Sequence, residues 1–238
     1  MPAFSGKKGP AMTAPISIIV PSLNASDELP GTLAALMPGL AQGLVHELVI
    51  SDGGSADESL AIADAVGAVV VSGAPGRGGQ LRRGAGVARG DWLLFVHADS
   101  HLGEDWCDAV SQHMAAFPDK AGYGRLSFRA QGSAPRFVAA WANWRSRYLG
   151  LPYGDQSLLI SRQLYDQIGG FADIPLMEDV ALARALHGRL RCLGTISATS
   201  ATRYERQGWL RRGGRNLWLL ARFLLGADPK ALAEAYRR

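Results

Sequence analysis

Four short apolar runs, each halted by polar or glycine residues, set the limits on what this chain can fold into: residues 16–20, 47–50, 68–72 and 92–96. Apolar runs of this length between turn residues have the form of buried strands. Helix-competent segments separate them, one over 27–37 and one running to about residue 66. The second opens on Ser55-Ala56-Asp57-Glu58, which fits a capping box: a serine hydroxyl for the third residue's amide and a glutamate reaching back. Strand and helix alternating this closely predict right-handed crossovers and a parallel sheet covered on both faces. Ligands of such sheets sit beyond the carboxyl ends of the strands. The residues expected there are Pro21, Ser22, Leu23 and Asn24, then Asp52, then His97, Ala98 and Asp99.

The rest of the chain is less regular. Helices are expected over 104–117, 135–148, 161–168 and 178–187, strands over 123–128 and 154–160, and a last short helix from Asp228-Pro229, an N-cap followed by a first-turn proline. No linker-like stretch divides the halves, so the expectation is one α/β domain.

With 238 residues, 47% hydrophobic and 19% charged, the chain can bury a sizeable core, and bulk disorder is excluded. Two cysteines, Cys107 and Cys192, exclude a disulfide scaffold and a thiolate zinc site. The net charge of +4 is unevenly placed: residues 203–238 carry nine basic and three acidic side chains. Such a tail suits an anionic partner or a solvated face. Its tryptophans and leucines among arginines also fit an amphipathic helix, for a membrane surface, a homodimer contact or packing on the sheet. The longest apolar run there, 217–225, is interrupted by Arg222 and is far short of a span of about 20 residues. Residues 1–14 lack the apolar stretch of a signal peptide and read as a flexible leader. The expected location is cytoplasmic, with the tail a candidate contact for the inner membrane face.

Several residue types carry chemistry. Asp99 follows an apolar strand directly, where a carboxylate faces the crevice and suits a hard divalent cation holding a diphosphate; capping of the next turn is the plainer use. His97 and His101 flank it at alternate positions. Asp52 opens an Asp-Gly-Gly-Ser turn before a helix start, where a carboxylate can accept from a base or ribose and helix amides can hold an anion. The glycine-rich stretch 73–90, with Arg77, Gln80, Arg82 and Arg83, matches neither G-x-G-x-x-G nor a P-loop. It offers close backbone approach and guanidinium groups for phosphates, or else a surface loop. Glu178-Asp179 places two carboxylates at a helix start, where the helix dipole favours negative charge.

The stretches Ile18-Ile19-Val20-Pro21-Ser22-Leu23-Asn24, Glu47-Leu48-Val49-Ile50-Ser51-Asp52-Gly53-Gly54-Ser55-Ala56-Asp57, Leu94-Phe95-Val96-His97-Ala98-Asp99 and Glu178-Asp179, in this order and spacing, resemble the family 2 glycosyltransferases. The likeness covers residues 15–187. It implies a GT-A fold, a nucleoside-diphosphate-sugar transferase domain with a mostly parallel central sheet flanked by helices. The domain would span 15–238, with a nucleotide-binding half over 15–100, an acceptor half over 101–200 and a basic helical tail over 201–238. The compact length and the stretches "GRGGQLRRGA" and "HADS" resemble a bacterial subgroup associated with arsenosugar biosynthesis.

The resemblance implies roles position by position. Pro21, Leu23 and Asn24 fall on the loop around the nucleotide, Asp52 on the carboxylate that contacts the base, and Arg77 and Gln80 on the stretch beside the nucleotide sugar. Asp99 falls on the last Asp of the DXD metal site, for Mg²⁺ or Mn²⁺, with His101 as a second candidate ligand. Asp179 matches the catalytic base and Glu178 its partner. Asp155 and Gln156, after the aromatic stretch Trp141, Trp144, Tyr148 and Tyr153, are candidate acceptor contacts by location. The departures are Ala25 where the family has Glu, with Asp27 or Glu28 as substitutes; His97 at the first DXD position; Arg82 where Asn is common; and no Q-x-x-R-W signature.

The implied reaction is inverting transfer of a sugar from a UDP- or GDP-type donor to a small-molecule or lipid acceptor hydroxyl. One alternative is a nucleotidylyltransferase, which would show a glycine-rich Arg/Lys signature where Pro21-Ser22-Leu23-Asn24 stands. Another is a non-catalytic nucleotide or RNA binder, which would leave the acidic pair without a role.

Overall fold

The structure, a computed structural model, describes residues 14–237; nearly all of the leader expected over 1–14 lies outside the described residues. The first half is β1 (Ile16–Ser22), α1 (Leu29–Ala41), β2 (Val45–Asp52), α2 (Ser59–Ala65), β3 (Val69–Ser72), α3 (Arg77–Val87) and β4 (Trp92–Phe95). The second half is β5 (Ser100–Leu102), α4 (Trp106–Ala116), β6 (Ala121–Phe128), α5 (Ser133–Leu149), a 3-10 turn (Gly154–Gln156), β7 (Leu158–Ser161), α6 (Arg162–Gln167), α7 (Glu178–Ala185), β8 (Leu190–Thr199), α8 (Thr202–Gln207), α9 (Trp209–Leu224) and α10 (Pro229–Arg237).

The eight strands among the described residues form one sheet in the order β3-β2-β1-β4-β7-β6-β8-β5. The strands β3, β2, β1 and β4 run parallel, as the alternation in sequence requires. Antiparallel β7 then joins this half to β6, which pairs in parallel with β8. Successive residues of a strand face opposite sides, so β1 serves two cores. Ile16, Ile18 and Val20 meet Leu29, Leu33 and Leu36 of α1 and Trp106 and Val110 of α4. On the other side Ile19 meets Leu81 and Ala85 of α3, with Leu93, Phe95, Phe171 and Leu182.

Three local expectations are corrected. The tetrad 55–58 forms no capping box: Ser55 binds Asp52, and Asp57 instead accepts the Ser26 and Ser59 amides at 2.9 and 3.0 Å. The strand expected from residue 154 starts at Leu158, because 154–156 curl into the 3-10 turn. Much of the glycine-rich stretch 73–90 is helix α3 rather than loop. Its glycines answer to packing: a Cβ at Gly84 would strike Ile19, and one at Gly78 would strike the Ala172 carbonyl oxygen. This close approach lets α3 lie flat on β1 and aim Arg77 at the strand ends.

Gly84→Val should therefore destabilise the protein by about 1–3 kcal/mol, through overpacking. Gly86→Ala, in open space on the same helix, should stabilise it by about 0.5–1 kcal/mol. Urea unfolding midpoints check both; equal effects would contradict the packing account.

Candidate active site

Two neighbouring features occupy the carboxyl ends of the parallel strands. The first is a stapled double turn. After β1 the chain turns at Asn24, a non-glycine residue with φ of +49°. Its side-chain oxygen accepts the Ala56 amide at 2.9 Å, and its own amide donates to the Ser55 hydroxyl at 2.9 Å. That hydroxyl donates to Asp52, whose buried carboxylate also accepts the Gly54 and Ser55 amides. Gln80 reaches from α3 and donates to the Ser22 and Ser51 carbonyl oxygens at 2.7 and 2.9 Å. Pro21 is half-buried, while Leu23 and Asn24 face solvent. The polar groups of Asp52 and Gln80 hold the turn in shape, and the exposed rim is Leu23, the Asn24 amide nitrogen and Gly54.

The second feature is a cleft of about 840 Å³, including its open mouth, lined among others by Arg77, His97, Asp99, Asp155, Glu178 and Asp179. Met177, with φ of +67°, tips the chain into α7 so that Glu178 and Asp179 form its first turn. Ser157, just after the 3-10 turn, has φ of +56°. Such strained non-glycine backbone tends to cluster at functional sites, and here it flanks the two acidic segments. Asp179 accepts the Gly154 amide at 2.9 Å and its neighbour's amide, Val180, at 2.8 Å. The first bond fixes the α7 start to the turn that carries Asp155.

Electrostatics follow from this crowding. Burial pushes the Glu178 carboxyl up to about 7, reinforced by Asp179 and opposed by Arg77, whose Nε stands 3.7 Å away. Burial pushes Asp155 up to about 6; Arg145 opposes this, while Asp179 and Asp99 add to it. Burial, then Arg77 and Arg203, hold His97 well below its usual value, so the imidazole is neutral. Twelve buried side-chain polar atoms lack a hydrogen-bond partner among the described residues, and five belong to residues lining this cleft: His97 Nε2, Tyr153 Oη, Asp155 Oδ1, Glu178 Oε1 and Arg212 Nε. Buried polar groups are normally satisfied, so these five atoms call for polar partners, whether ordered water or a ligand.

The tail closes the far wall. Leu219, Leu220 and Leu232 pack on Leu151, Met177, Val180 and Ala183. That packing turns Arg212 and Asn216 of α9 and Tyr236 of α10 into the cleft, beside Arg203 and Tyr204 of α8. The tail reading of packing on the sheet is corrected: the inner face of α9 packs mainly on α7 and on Leu151. Its outer face leaves Leu210, Leu217, Trp218, Leu224 and Leu225 exposed. No described helix is long and apolar enough to cross a membrane.

The expected site residues thus divide. Asp179, Glu178, Asp99, Arg77 and Asp155 line one cleft. Pro21, Leu23, Asn24, Asp52 and Gln80 belong to the adjoining turn. Two candidates fall outside the cleft lining. Gln156 is wholly buried, accepting from the Ser146 hydroxyl at 2.6 Å and donating to the Gly124 carbonyl oxygen at 3.1 Å, so it braces β6 against α5 and has no surface for an acceptor. The His101 ring packs against Gly31, with Glu28, Arg129 and Asp99 near it, and it is not among the residues that line the cleft, whereas His97 is. Glu28, a substitute considered for Ala25, is paired with Arg129. Sequence reasoning did not single out Arg212, Asn216 and Tyr236 as cleft residues. The signal present was the i, i+4, i+7 spacing of Arg212, Asn216 and Leu219.

The family model for Glycosyl transferase family 2 matches residues 17–172. Glucosyl-3-phosphoglycerate synthase of Mycolicibacterium paratuberculosis (strain ATCC BAA-968 / K-10) is 37% identical over 93 residues, covering 35% of this chain and 28% of its own length. The PGL/p-HBAD biosynthesis glycosyltransferase of Mycobacterium bovis (strain BCG / Pasteur 1173P2) is 34% identical over 139 residues, half of each chain. The chain therefore spans between about a quarter and a half of the length of these curated relatives. The crystal structure of glucosyl-3-phosphoglycerate synthase from Mycobacterium tuberculosis with Mn²⁺, UDP and phosphoglyceric acid shares the fold, with a TM-score of 0.57 and 23% identity over 78% of this chain and 70% of that one. With the family model covering well over half of its residues, this chain belongs to Glycosyl transferase family 2.

Proposed function

We propose that the chain is an inverting glycosyltransferase that moves a sugar from a nucleoside-diphosphate donor to an acceptor hydroxyl. The observation that carries this reading is the convergence of Asp99, Asp155, Glu178, Asp179 and Arg77 on one cleft at the strand ends, next to the stapled turn of Asn24 and Asp52. The UDP in the mycobacterial structure favours a UDP-type donor over a GDP type. The nucleoside lies along Pro21, Leu23, Asn24 and the Asp52 turn, and the diphosphate reaches Arg77 and Asp99.

Asp179 is the base. Held by two backbone amides, its carboxylate takes the proton of the acceptor hydroxyl. That oxygen attacks the anomeric carbon as the bond to the diphosphate breaks, and the nucleoside diphosphate leaves with the electron pair. Glu178 stays protonated to about 7 and so does not compete for the proton or repel the diphosphate. Asp155, with a buried unpartnered oxygen in the cleft, accepts from a sugar or acceptor hydroxyl.

Among the described residues no group of three or more His, Cys, Asp or Glu can enclose a metal. Asp99 with neutral His97 nearby offers a sparse donor set. This fits Mg²⁺ or Mn²⁺, which bind through one or two carboxylates plus substrate phosphates. Either ion, when bound, supplies charge neutralisation of the leaving diphosphate. The proposed location is cytoplasmic, with the exposed outer face of α9 as the contact for an inner membrane face or a second copy. The narrower arsenosugar assignment rests on two short stretches of sequence alone.

Asp179→Asn should lower kcat roughly 10²–10⁴-fold, the usual worth of general base catalysis, while UDP affinity in the presence of Mn²⁺ stays within twofold. Turnover near the wild-type rate would remove Asp179 from this role. Stability should also depend on pH through Glu178. Its carboxyl is ionised above about 4.5 when unfolded but holds its proton to about 7 when folded. This stabilisation is therefore full below the unfolded value and is lost as pH rises through about 7, by at most about 1.4 kcal/mol per unit. Scanning calorimetry should show Glu178→Gln melting above the wild type at pH 8 and close to it at pH 5. The opposite order would mean that the fold favours the charged carboxylate, through Arg77, and that burial does not push this carboxyl up.

A further inference from the structure

The cleft is two-sided in charge, and the known elements of the proposed reaction use only one side. On that side Arg145 and Arg77 oppose the burial that pushes the Asp155 and Glu178 carboxyls up. The other wall carries Arg203 and Arg212, with Tyr204, Asn216 and Tyr236 between them. Arg212 is 6% exposed, yet among the described residues no carboxylate lies within salt-bridge reach of it; the ion pairs found are Arg77 with Glu178 and Arg129 with Glu28. Its hydrogen bonds go to neutral groups, the Gln207 side-chain oxygen at 2.8 Å and the Tyr236 hydroxyl. The Tyr204 and Tyr236 rings lie 5.4 Å away. Its Nε has no partner. Aromatic faces and neutral acceptors solvate a guanidinium but leave its charge in place, and an uncompensated buried charge is costly. Arg203 adds a second positive charge at the same wall. Burial raises the Tyr236 phenol, but Arg212, Arg203 and Arg77 outweigh it and leave the group lowered, as convergent positive charge requires.

We propose that Arg203 and Arg212 form an anion site for the acceptor, which is thus a small molecule bearing a phosphate or carboxylate as well as the reacting hydroxyl. This rests on the glycosyl-transfer reading and specifies its second substrate. The anionic group docks on Arg203 and Arg212, where a guanidinium matches two oxygens of a phosphate or carboxylate. The hydroxyl then lies toward Asp179 at the opposite wall of the same cleft. Placed there, the arginines fix the acceptor's orientation and leave Arg77 and Asp99 to the donor diphosphate.

The test titrates glycerol 3-phosphate, inorganic phosphate and uncharged glycerol into the full chain saturated with UDP and Mg²⁺, by calorimetry. Both phosphates should bind and glycerol should not. Arg203→Ala, at an exposed position that does not threaten folding, should weaken phosphate binding at least tenfold and leave UDP affinity within twofold. Arg212→Gln should do the same where its melting curve matches the wild type. If neither phosphate binds the loaded protein, or if Arg203→Ala weakens UDP as much as phosphate, the proposal is overturned; the second result would assign the arginines to the donor. Failure of UDP itself to bind would count against glycosyl transfer instead, and titrating phosphate into the unloaded chain would still read the arginine site.

Discussion

The bond from the Gly154 amide to the Asp179 carboxylate holds the site together. It ties the first turn of α7 to the 3-10 turn before β7, two segments 25 residues apart in sequence. Without it only the Val180 amide would hold Asp179, and the turn that carries Asp155 would lose its tie to α7. The positive φ at Met177 and at Ser157 forces both segments into the required shape. Each is a conformation that costs a non-glycine residue of order 1 kcal/mol. The hydrophobic contacts of Met177 and Val180 with Leu219, Leu220 and Leu232 offset that cost and bring the tail into the site.

The same packing explains the electrostatic character of the cleft. Pressing α9 and α10 onto α7 buries Glu178 beside Arg77 and buries Arg212 with no carboxylate in reach among the described residues. Glu178 and Asp155 hold their protons well above the usual range, and Arg212 has no counter-ion among the described residues. A low-dielectric site strengthens every charge in it, so these groups are poised for a ligand rather than for stability. A nucleoside diphosphate on the side of Arg77 and Asp99, and an anionic acceptor on the side of Arg203 and Arg212, would complete it.

Much of the first half was legible in the sequence because its strands are continuous apolar runs and its candidate site residues stand at or just after strand ends. Asp52 and Asp99 could be placed without knowing any long-range contact. The second half was harder. β5 has three residues and β8 is half-exposed with a polar pattern, so neither produces a clear apolar run. The glycine-rich stretch misled in the other direction, because low intrinsic helix propensity is overridden when small residues allow a helix to settle on a strand. His101 and Gln156 adjoin cleft residues in sequence, but neither lines the cleft, and Gln156 is buried in bonds to Ser146 and Gly124. Side-chain direction at such places depends on strand register and turn type, which spacing alone does not fix. The tail arginines were visible as a charge cluster; which of them turned inward depended on the packing of Leu219 and Leu220.

The most direct measurement is a crystal structure of Asp179→Asn with UDP-glucose and Mn²⁺. The account predicts the base seated against Leu23, Asn24 and the Asp52 turn, the diphosphate between Arg77 and Asp99, and the anomeric carbon open to position 179 on the face away from the diphosphate. A nucleotide bound elsewhere, or a diphosphate held by Arg203 and Arg212 with residue 179 behind it, would contradict it.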